Sequence, residues 1–159
     1  MHSKLSIAQT LIHQLGPFDE AIASIVQDEI DSWTIFFNNG QAIHLQFEPE
    51  PTQWLMSCEL ALSSEAHRLA IYTAMLNFNL LYQGVAPLKV ALSSPDGNLL
   101  LIGQYQLSEH SLPILQQLMQ QFLLAAQHVT EQVALHEQQA VLPEMSSQQS
   151  PQFSAQDLA

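Results

Sequence analysis

The side chains best able to carry chemistry in this sequence are seven histidines and one cysteine. Imidazole and thiolate groups ligate metals and act in catalysis, but such sites need several of them at defined spacings. No two histidines stand in an HxH or HxxxH arrangement, so a ligand set would have to be assembled from distant segments. Solvated histidines are the favoured interpretation, and no metal is expected.

The other reactive groups also favour structural roles. Cys58 alternates with Met56 and Leu60 in an extended pattern, which is typical of a small core residue. Glu48 and Glu50 flank prolines and are interpreted as solvated loop charges. The sequence has no glycine-rich phosphate loop and no serine in a nucleophile-elbow pattern. We therefore expect neither an enzyme nor a cofactor.

Composition narrows the classes of partner. The 159 residues are 47% hydrophobic, enough for one domain with a core, and the net charge is −12 with only three Lys and Arg residues. Such a chain cannot neutralise phosphates, which argues against nucleic acid and anionic membranes as partners. A lone cysteine, a polar N-terminus and the lack of a long apolar run predict a soluble cytoplasmic protein.

The central stretch from Ser63 to Gly84 predicts a helix with two apolar sides. At about 100° per residue, one side carries Leu69, Tyr72, Leu76 and Leu80, and the opposite side carries Ile71, Met75, Phe78 and Tyr82. A surface helix of a small monomer needs one apolar stripe. One face is therefore expected to pack on its own domain and the other on a partner.

The remaining elements follow from periodicity and turn residues. A first helix is predicted for Ser3 to Leu15, ended by Gly16-Pro17, and a last helix from about Ser111 to His136. Period-two alternation predicts one hairpin around Asn38-Asn39-Gly40, a third strand after it, and a second hairpin around Pro95-Asp96-Gly97. Residues 18–31 fit a short helix or a strand equally well and are left open.

The end of the chain has a different composition. From Val141 it is rich in Ser, Gln and Pro, and it cannot bury enough apolar surface to offset the entropy of ordering. The expected organisation is one domain over residues 1–139 and a disordered tail over residues 140–159.

Four segments in this order resemble a known family. They are LIHQLG at the end of the first helix, MLNFNLL in the central helix, the hairpin LKVALSSPDGNLLLIGQYQL, and the closing LPILQQLMQQFLLAAQHV. Together they resemble the class I type III secretion chaperones, the Tir-chaperone-like effector chaperones of Gram-negative bacteria. The resemblance implies an α+β fold of order α-β-β-β-α-β-β-α, with a strongly bent antiparallel sheet packed by helices.

The resemblance also implies a function and partners. The protein would be a cytoplasmic homodimer that binds the N-terminal segment of a secreted effector in extended form and keeps it secretion-competent, without a cofactor. Secretion ATPase or sorting components would be further partners. The dimer interface is assigned to Ile71, Met75, Phe78 and Tyr82. The effector-binding candidates are Phe36, His44 and Leu55 on the outward face of the sheet, with Leu5 and Ile12 near the margin of the first helix. For Phe36 and Leu55, coverage by the first helix is an equal alternative.

Two other functions remain open at the level of sequence. One is a dimeric adaptor or regulator of the same fold that binds a folded partner. The other is a small hydrolase or transferase.

Overall fold

Six antiparallel strands and three helices make up the part of the chain that the computed structural model describes, which is residues 3–60, 67–81, 87–95, 97–106 and 111–146. In chain order they are α1 (Lys4–Phe18), β1 (Ile22–Glu29), β2 (Ser32–Phe37), β3 (Ala42–Pro49), β4 (Thr52–Leu60), α2 (Arg68–Leu81), β5 (Leu88–Leu92), β6 (Leu99–Gln106) and α3 (Leu112–Ser146). The sheet order is β1-β2-β3-β4-β6-β5. The predicted α+β class with an antiparallel sheet is confirmed, with one strand more than expected.

The additional strand is β1, in the segment that the sequence left open. Its ladder with β2 pairs Ile22 with Phe37 and Ile25 with Ile35, with a register shift between Ile22 and Ser24. The shift is a bulge, in which one extra residue of β1 is accommodated. Two residues of β1 that share a face are therefore three positions apart. That spacing imitates a helix, which explains why the segment was ambiguous.

One face of the sheet carries the core, as the alternation predicted. Trp33, Ile35 and Phe37 of β2 are buried, and the same holds for every second residue of β3 and for Trp54 and Met56 of β4. The Trp54 ring lies at the centre, with ring centroids 5.0 Å from Phe47 and 6.1 Å from Trp33. Of the apolar run in β6, Leu99 and Leu101 are buried and their neighbours on the other face are half-buried.

Helices α1 and α3 cover this core face, and each contacts the other as well as the sheet. Helix α3 buries an apolar stripe whose first residue, Leu112, is half-buried and whose other members are fully covered: Leu115, Met119, Phe122, Ala126, Val129 and Val133. On α1 the buried residues are Ala8, Leu11, Ile12 and Leu15. No helix in the described ranges is long and apolar enough to cross a membrane.

Two helix ends differ from the prediction. Helix α1 continues through Gly16-Pro17 to Phe18, and the Asp19 N–H then donates to the Leu15 carbonyl at 3.0 Å. The Asp19 carboxylate accepts from the Ala21 N–H at 3.0 Å, so Asp19 supports both the helix end and the start of β1. Helix α3 runs to Ser146, so residues 140–146 are helical rather than part of a disordered tail. Residues 147–159 lie outside the described part of the chain.

Candidate functional site

The sheet has two edge strands, and their free sides differ. Strand β1 pairs with β2 alone, and no other segment of the described chain pairs with its free side. Most of its eight residues are exposed, with only Ile22 and Ile25 partly covered. An open edge of this kind presents unpaired N–H and C=O groups in a row and is a template for another extended segment.

Strand β5 forms the other edge, and α2 lies against it. The Val90 N–H donates to Asn79 Oδ1 at 2.7 Å, and Asn79 Nδ2 donates to the Val90 carbonyl at 2.9 Å. The side-chain amide of Asn79 thus makes the same two hydrogen bonds that a neighbouring strand would make. The centre of β5 is therefore occupied from its free side.

A groove of about 540 Å³ runs between α1 and the open β1 edge. Its large apolar residues are Ile12, Ile22, Ile25 and Trp33, and its polar ones are Gln9, His13, Ser24 and Gln27. Gln9 also ties α1 to the end of β1, since its Nε2 donates to the Ile30 carbonyl at 3.0 Å. An extended chain paired with β1 would alternate its side chains between this groove and the opposite face of the sheet.

The outer face of the sheet holds three of the predicted effector-binding residues, and one of them, His44, lines a cavity together with Leu123, Ala126 and Thr130 of α3. Phe36 and His44 are exposed there, and Leu55 is half-buried. In register, His44 lies between Thr34 and Ser57, and Leu55 lies between Gln46 and Gln104. The equal alternative for Phe36 and Leu55, coverage by the first helix, is not what the structure shows, because α1 packs on the core face.

Asp28 contacts two polar side chains of the outer face. His44 Nδ1 lies 3.3 Å from Asp28 Oδ2, and the same oxygen accepts a hydrogen bond from the Thr34 hydroxyl at 2.7 Å. These contacts hold the ring of His44 against β1 and β2. The exposed ring of Phe36 therefore lies next to a set of polar side chains that are held in place by their mutual contacts.

The other two effector-binding candidates lie on the opposite side of the sheet. Leu5 is half-buried and packs against the core, and Ile12 is buried at the floor of the groove beside β1. The five predicted residues therefore do not form one patch. Ile12 belongs to the groove, and Phe36, His44 and Leu55 belong to the outer face.

The two faces of α2 are arranged in the reverse of the prediction. Ile71 and Met75 are buried in the core of the same chain, with Phe78 half-buried against it. Their burial within one chain leaves Ile71 and Met75 no surface for a second chain, so the assignment of these residues to a dimer interface is corrected. Tyr82, the fourth of them, lies outside the described residues. The face that points to solvent carries Leu69, Leu76 and Leu80, which are 80%, 68% and 78% exposed.

Sequence reasoning missed the groove residues Ile25 and Trp33 as binding candidates and missed Asn79 altogether. Trp33 belongs to the buried core and also lines the groove. The signal for β1 was present in Ile22 and Ile25 but was obscured by the bulge. Asn79 carried no signal beyond being polar.

The described residues contain no cluster of three or more His, Cys, Asp or Glu side chains that could hold a metal ion. Burial raises the pKa of the Cys58 thiol to about 11, so the group is a neutral thiol at physiological pH. A protonated thiol is a poor nucleophile and a poor metal ligand. The chemistry that the arrangement supports is therefore non-covalent binding.

An antiparallel sheet with one open edge and a groove beside that edge make up an α+β fold with a candidate site for an extended segment. A model of the Tir chaperone protein (CesT) family matches residues 10–130, well over half of the chain. The chain therefore belongs to the Tir chaperone protein (CesT) family, which confirms the resemblance seen in the sequence.

A solved structure supports the same fold. The chain is similar to one in the structure of the HopA1-SchA chaperone-effector complex, with a TM-score of 0.61 and 18% identity over 82% of this chain and 98% of that one. It also matches one in the heterodimeric ExoU-SpcU complex of the Pseudomonas aeruginosa type III secretion system, with a TM-score of 0.45 and 19% identity over 77% and 93% of the two chains. No curated protein sequence matches the chain.

Proposed function

We propose that this protein is a cytoplasmic type III secretion chaperone of a Gram-negative bacterium, which binds the N-terminal segment of a secreted effector in extended form. The family match supports the chaperone role. The observation that carries the binding mode is the open β1 edge with the α1–β1 groove beside it. Main-chain pairing supplies affinity for any extended segment, and the groove selects apolar side chains at alternate positions.

The outer face of the sheet extends this binding surface. Phe36 lies on β2, next to the β1 edge, and Leu55 lies two strands further into the sheet, on β4. Both side chains gain from apolar contact, and a non-globular effector segment can follow them because it has no fold of its own to preserve. Binding spread over several shallow contacts requires no catalytic group, so the protein acts as a binding module and not as an enzyme.

The protein is further proposed to act as a homodimer through the exposed face of α2. Leu69, Leu76 and Leu80 form one stripe along this helix, and each is largely exposed. Burying a leucine side chain stabilises an interface by about 1.5–3 kcal/mol, and a two-fold axis would bury each of them twice. The proposed dimer interface is therefore the Leu76 face of α2 and not the Ile71 face.

Leu76→Arg tests the dimer, with Leu124→Arg on α3 as a matched control, because the two leucines are 68% and 67% exposed. The first variant should sediment as a monomer and the second should remain a dimer. A wild-type monomer at micromolar concentration, or a dimer unaffected by Leu76→Arg, would contradict the proposal.

Deletion of the gene in the native host tests the chaperone function. Secretion of one or a few effectors should fall, and wild-type protein supplied from a plasmid should restore it. Ala23→Trp should fail to restore secretion, because Ala23 is exposed, lines the groove and lies in the bulge, so the larger ring fills the groove without disturbing the ladder.

Ala134→Trp is the matched control, since Ala134 is an exposed alanine on α3. It should restore secretion fully, provided that both variants accumulate to the wild-type level in cells. Full activity of Ala23→Trp would show that the groove does not hold the effector. Unchanged secretion of every effector after deletion would contradict the function itself.

A further inference from the structure

The inference concerns Asn79, and it rests on the proposed function. Asn79 makes two hydrogen bonds to a single residue of β5, one to its N–H and one to its carbonyl. In an antiparallel ladder, the residues whose N–H and C=O groups both point to one side alternate along the strand. Val90 is therefore the central residue of the free side of β5, with Leu88 and Leu92 at the two ends of the strand.

A five-residue strand whose central pair of hydrogen bonds is already made offers little to an incoming strand. The primary amide of Asn79 has a carbonyl and an NH₂ group in the same plane, as a peptide unit has, and it satisfies both groups of Val90 at 2.7 and 2.9 Å. Ile71 and Met75 of the same helix are buried in the core, so α2 as a whole is held beside this edge. The two hydrogen bonds of Asn79 fix the position of α2 along β5.

We propose that Asn79 is a specificity-determining residue that closes the β5 edge, so that an extended apolar segment is added to the sheet at β1 alone. The proposal gives each chain one site for strand addition. Because Asn79 already occupies the centre of β5, this edge needs no row of charged side chains to prevent pairing with another chain. Lys89, which is exposed, is the only cation of the strand.

The first measurement is amide hydrogen exchange at Val90 in the full-length protein, and it needs no effector. Asn79→Ala should raise the exchange rate at Val90 by about tenfold or more relative to wild type. Asn77→Ala, which removes an exposed asparagine from the same helix, should leave that rate unchanged. A purely structural role would instead raise exchange at all slowly exchanging core amides together.

The second measurement maps where an extended segment is added. The probe is a synthetic peptide of about ten residues that alternates leucine with serine, carries terminal lysines to suit the net charge of −12, and contains one photoreactive benzophenone side chain. After illumination, adducts are located by proteolysis and mass spectrometry. Wild type and Asn77→Ala should carry adducts near β1 alone, and Asn79→Ala should carry them near β5 as well.

The outcomes separate this inference from the proposed function. Adducts at β5 in wild type, or at β1 alone in Asn79→Ala, would overturn the role of Asn79 and leave strand addition at β1 intact. Adducts near neither edge would overturn strand addition as the binding mode, and the exchange rate at Val90 would then decide the role of Asn79. An unchanged Val90 rate in Asn79→Ala overturns the inference in every case.

Discussion

Strands β1 and β5 lie at opposite edges of one sheet, and they differ in what lies on their free sides. The free side of β5 is met by α2, whose Asn79 makes both hydrogen bonds that Val90 offers. No other strand of the described chain pairs with the free side of β1, which is flanked by a groove. An exposed edge promotes aggregation, and natural proteins usually block it. The contrast between a blocked edge and a longer open edge supports the proposal that the open edge binds an extended segment.

Helix α2 both covers the β5 edge and exposes an apolar surface. Helix α2 buries Ile71 and Met75 against its own domain and presents Leu69, Leu76 and Leu80 outward. Covering the β5 edge therefore places an apolar stripe on the surface at the end of the sheet away from β1. Association through this stripe would leave the β1 edges of both copies free. Four kinds of substitution test the comparison of the two edges, and they are given in decreasing order of expected effect.

The largest effect is expected from Ile71→Arg, on the inner face of α2. Ile71 is fully buried, and a charge placed there without a partner should lower the free energy of unfolding by about 3–5 kcal/mol. Leu76→Arg, on the outer face, should lower it by less than about 1 kcal/mol. Urea unfolding, at a concentration low enough that association does not contribute, measures both. The reverse order of effects would mean that the faces of α2 are assigned incorrectly.

A smaller effect is expected from the two side-chain amides that flank the edges. Asn79→Ala leaves the Val90 N–H and carbonyl without partners in a partly buried position, which should cost about 1–3 kcal/mol. Gln9→Ala removes one exposed bond to the Ile30 carbonyl at the open edge and should cost less than about 1 kcal/mol. Equal costs in urea unfolding would show that the β5 edge is no more tightly closed than the β1 edge.

Much of the sheet could be predicted from sequence, because the alternation of apolar and polar residues along a strand indicates which of its faces is buried. Strands β2, β3 and β4 and the hairpin of β5 and β6 followed from it, as did the turn at Gly40, where φ is 85°. Strand β1 could not be assigned, because its bulge converts a period of two into a spacing of three at Ile22 and Ile25. The local sequence does not indicate at which position of a strand a bulge residue is inserted.

The candidate site was less accessible to sequence, for two physical reasons. Both faces of α2 are apolar, so hydrophobicity alone does not tell which one the domain buries, and Ile71 and Leu76 were assigned the wrong way round. The closure of β5 depends on a contact between Asn79 and a backbone eleven residues away, which has no signature in composition. Phe36 and Leu55 were placed correctly on the outward face, because there the strand period decides.

The third substitution concerns the outer face between the two edges. Phe36→Glu combined with Leu55→Glu should reduce the amount of effector that co-purifies with the chaperone by about tenfold, because the new carboxylates must lose water when apolar effector side chains cover them. Stability should change little, since Phe36 is exposed and Leu55 is half-buried. Quantitative mass spectrometry of the purified complex measures the loss.

The matched control for that pair is Gln46→Glu combined with Gln104→Glu. These residues flank Leu55 in register and add the same two charges without removing an apolar side chain. Effector binding should remain within about threefold of wild type. An equal loss in both pairs would show that net charge, and not apolar contact, governs binding on this face, and binding unaffected by either pair would confine the site to the β1 edge.

The smallest effect is expected at Cys58, which lies on an interior strand of the sheet, away from both edges. Its thiol has a pKa raised to about 11 by burial, so iodoacetamide should modify it roughly a hundredfold more slowly at pH 8 than a free cysteine. Because the folded-state pKa lies above the unfolded one, the neutral thiol stabilises the fold below about pH 9, and this contribution is lost as pH rises towards 11. Wild type should therefore lose more stability than Cys58→Ala over that interval, while effector binding at pH 7 stays the same in both. Rapid alkylation at pH 8, or loss of binding in Cys58→Ala, would place reactive chemistry in the middle of the sheet and contradict a function based on its edges.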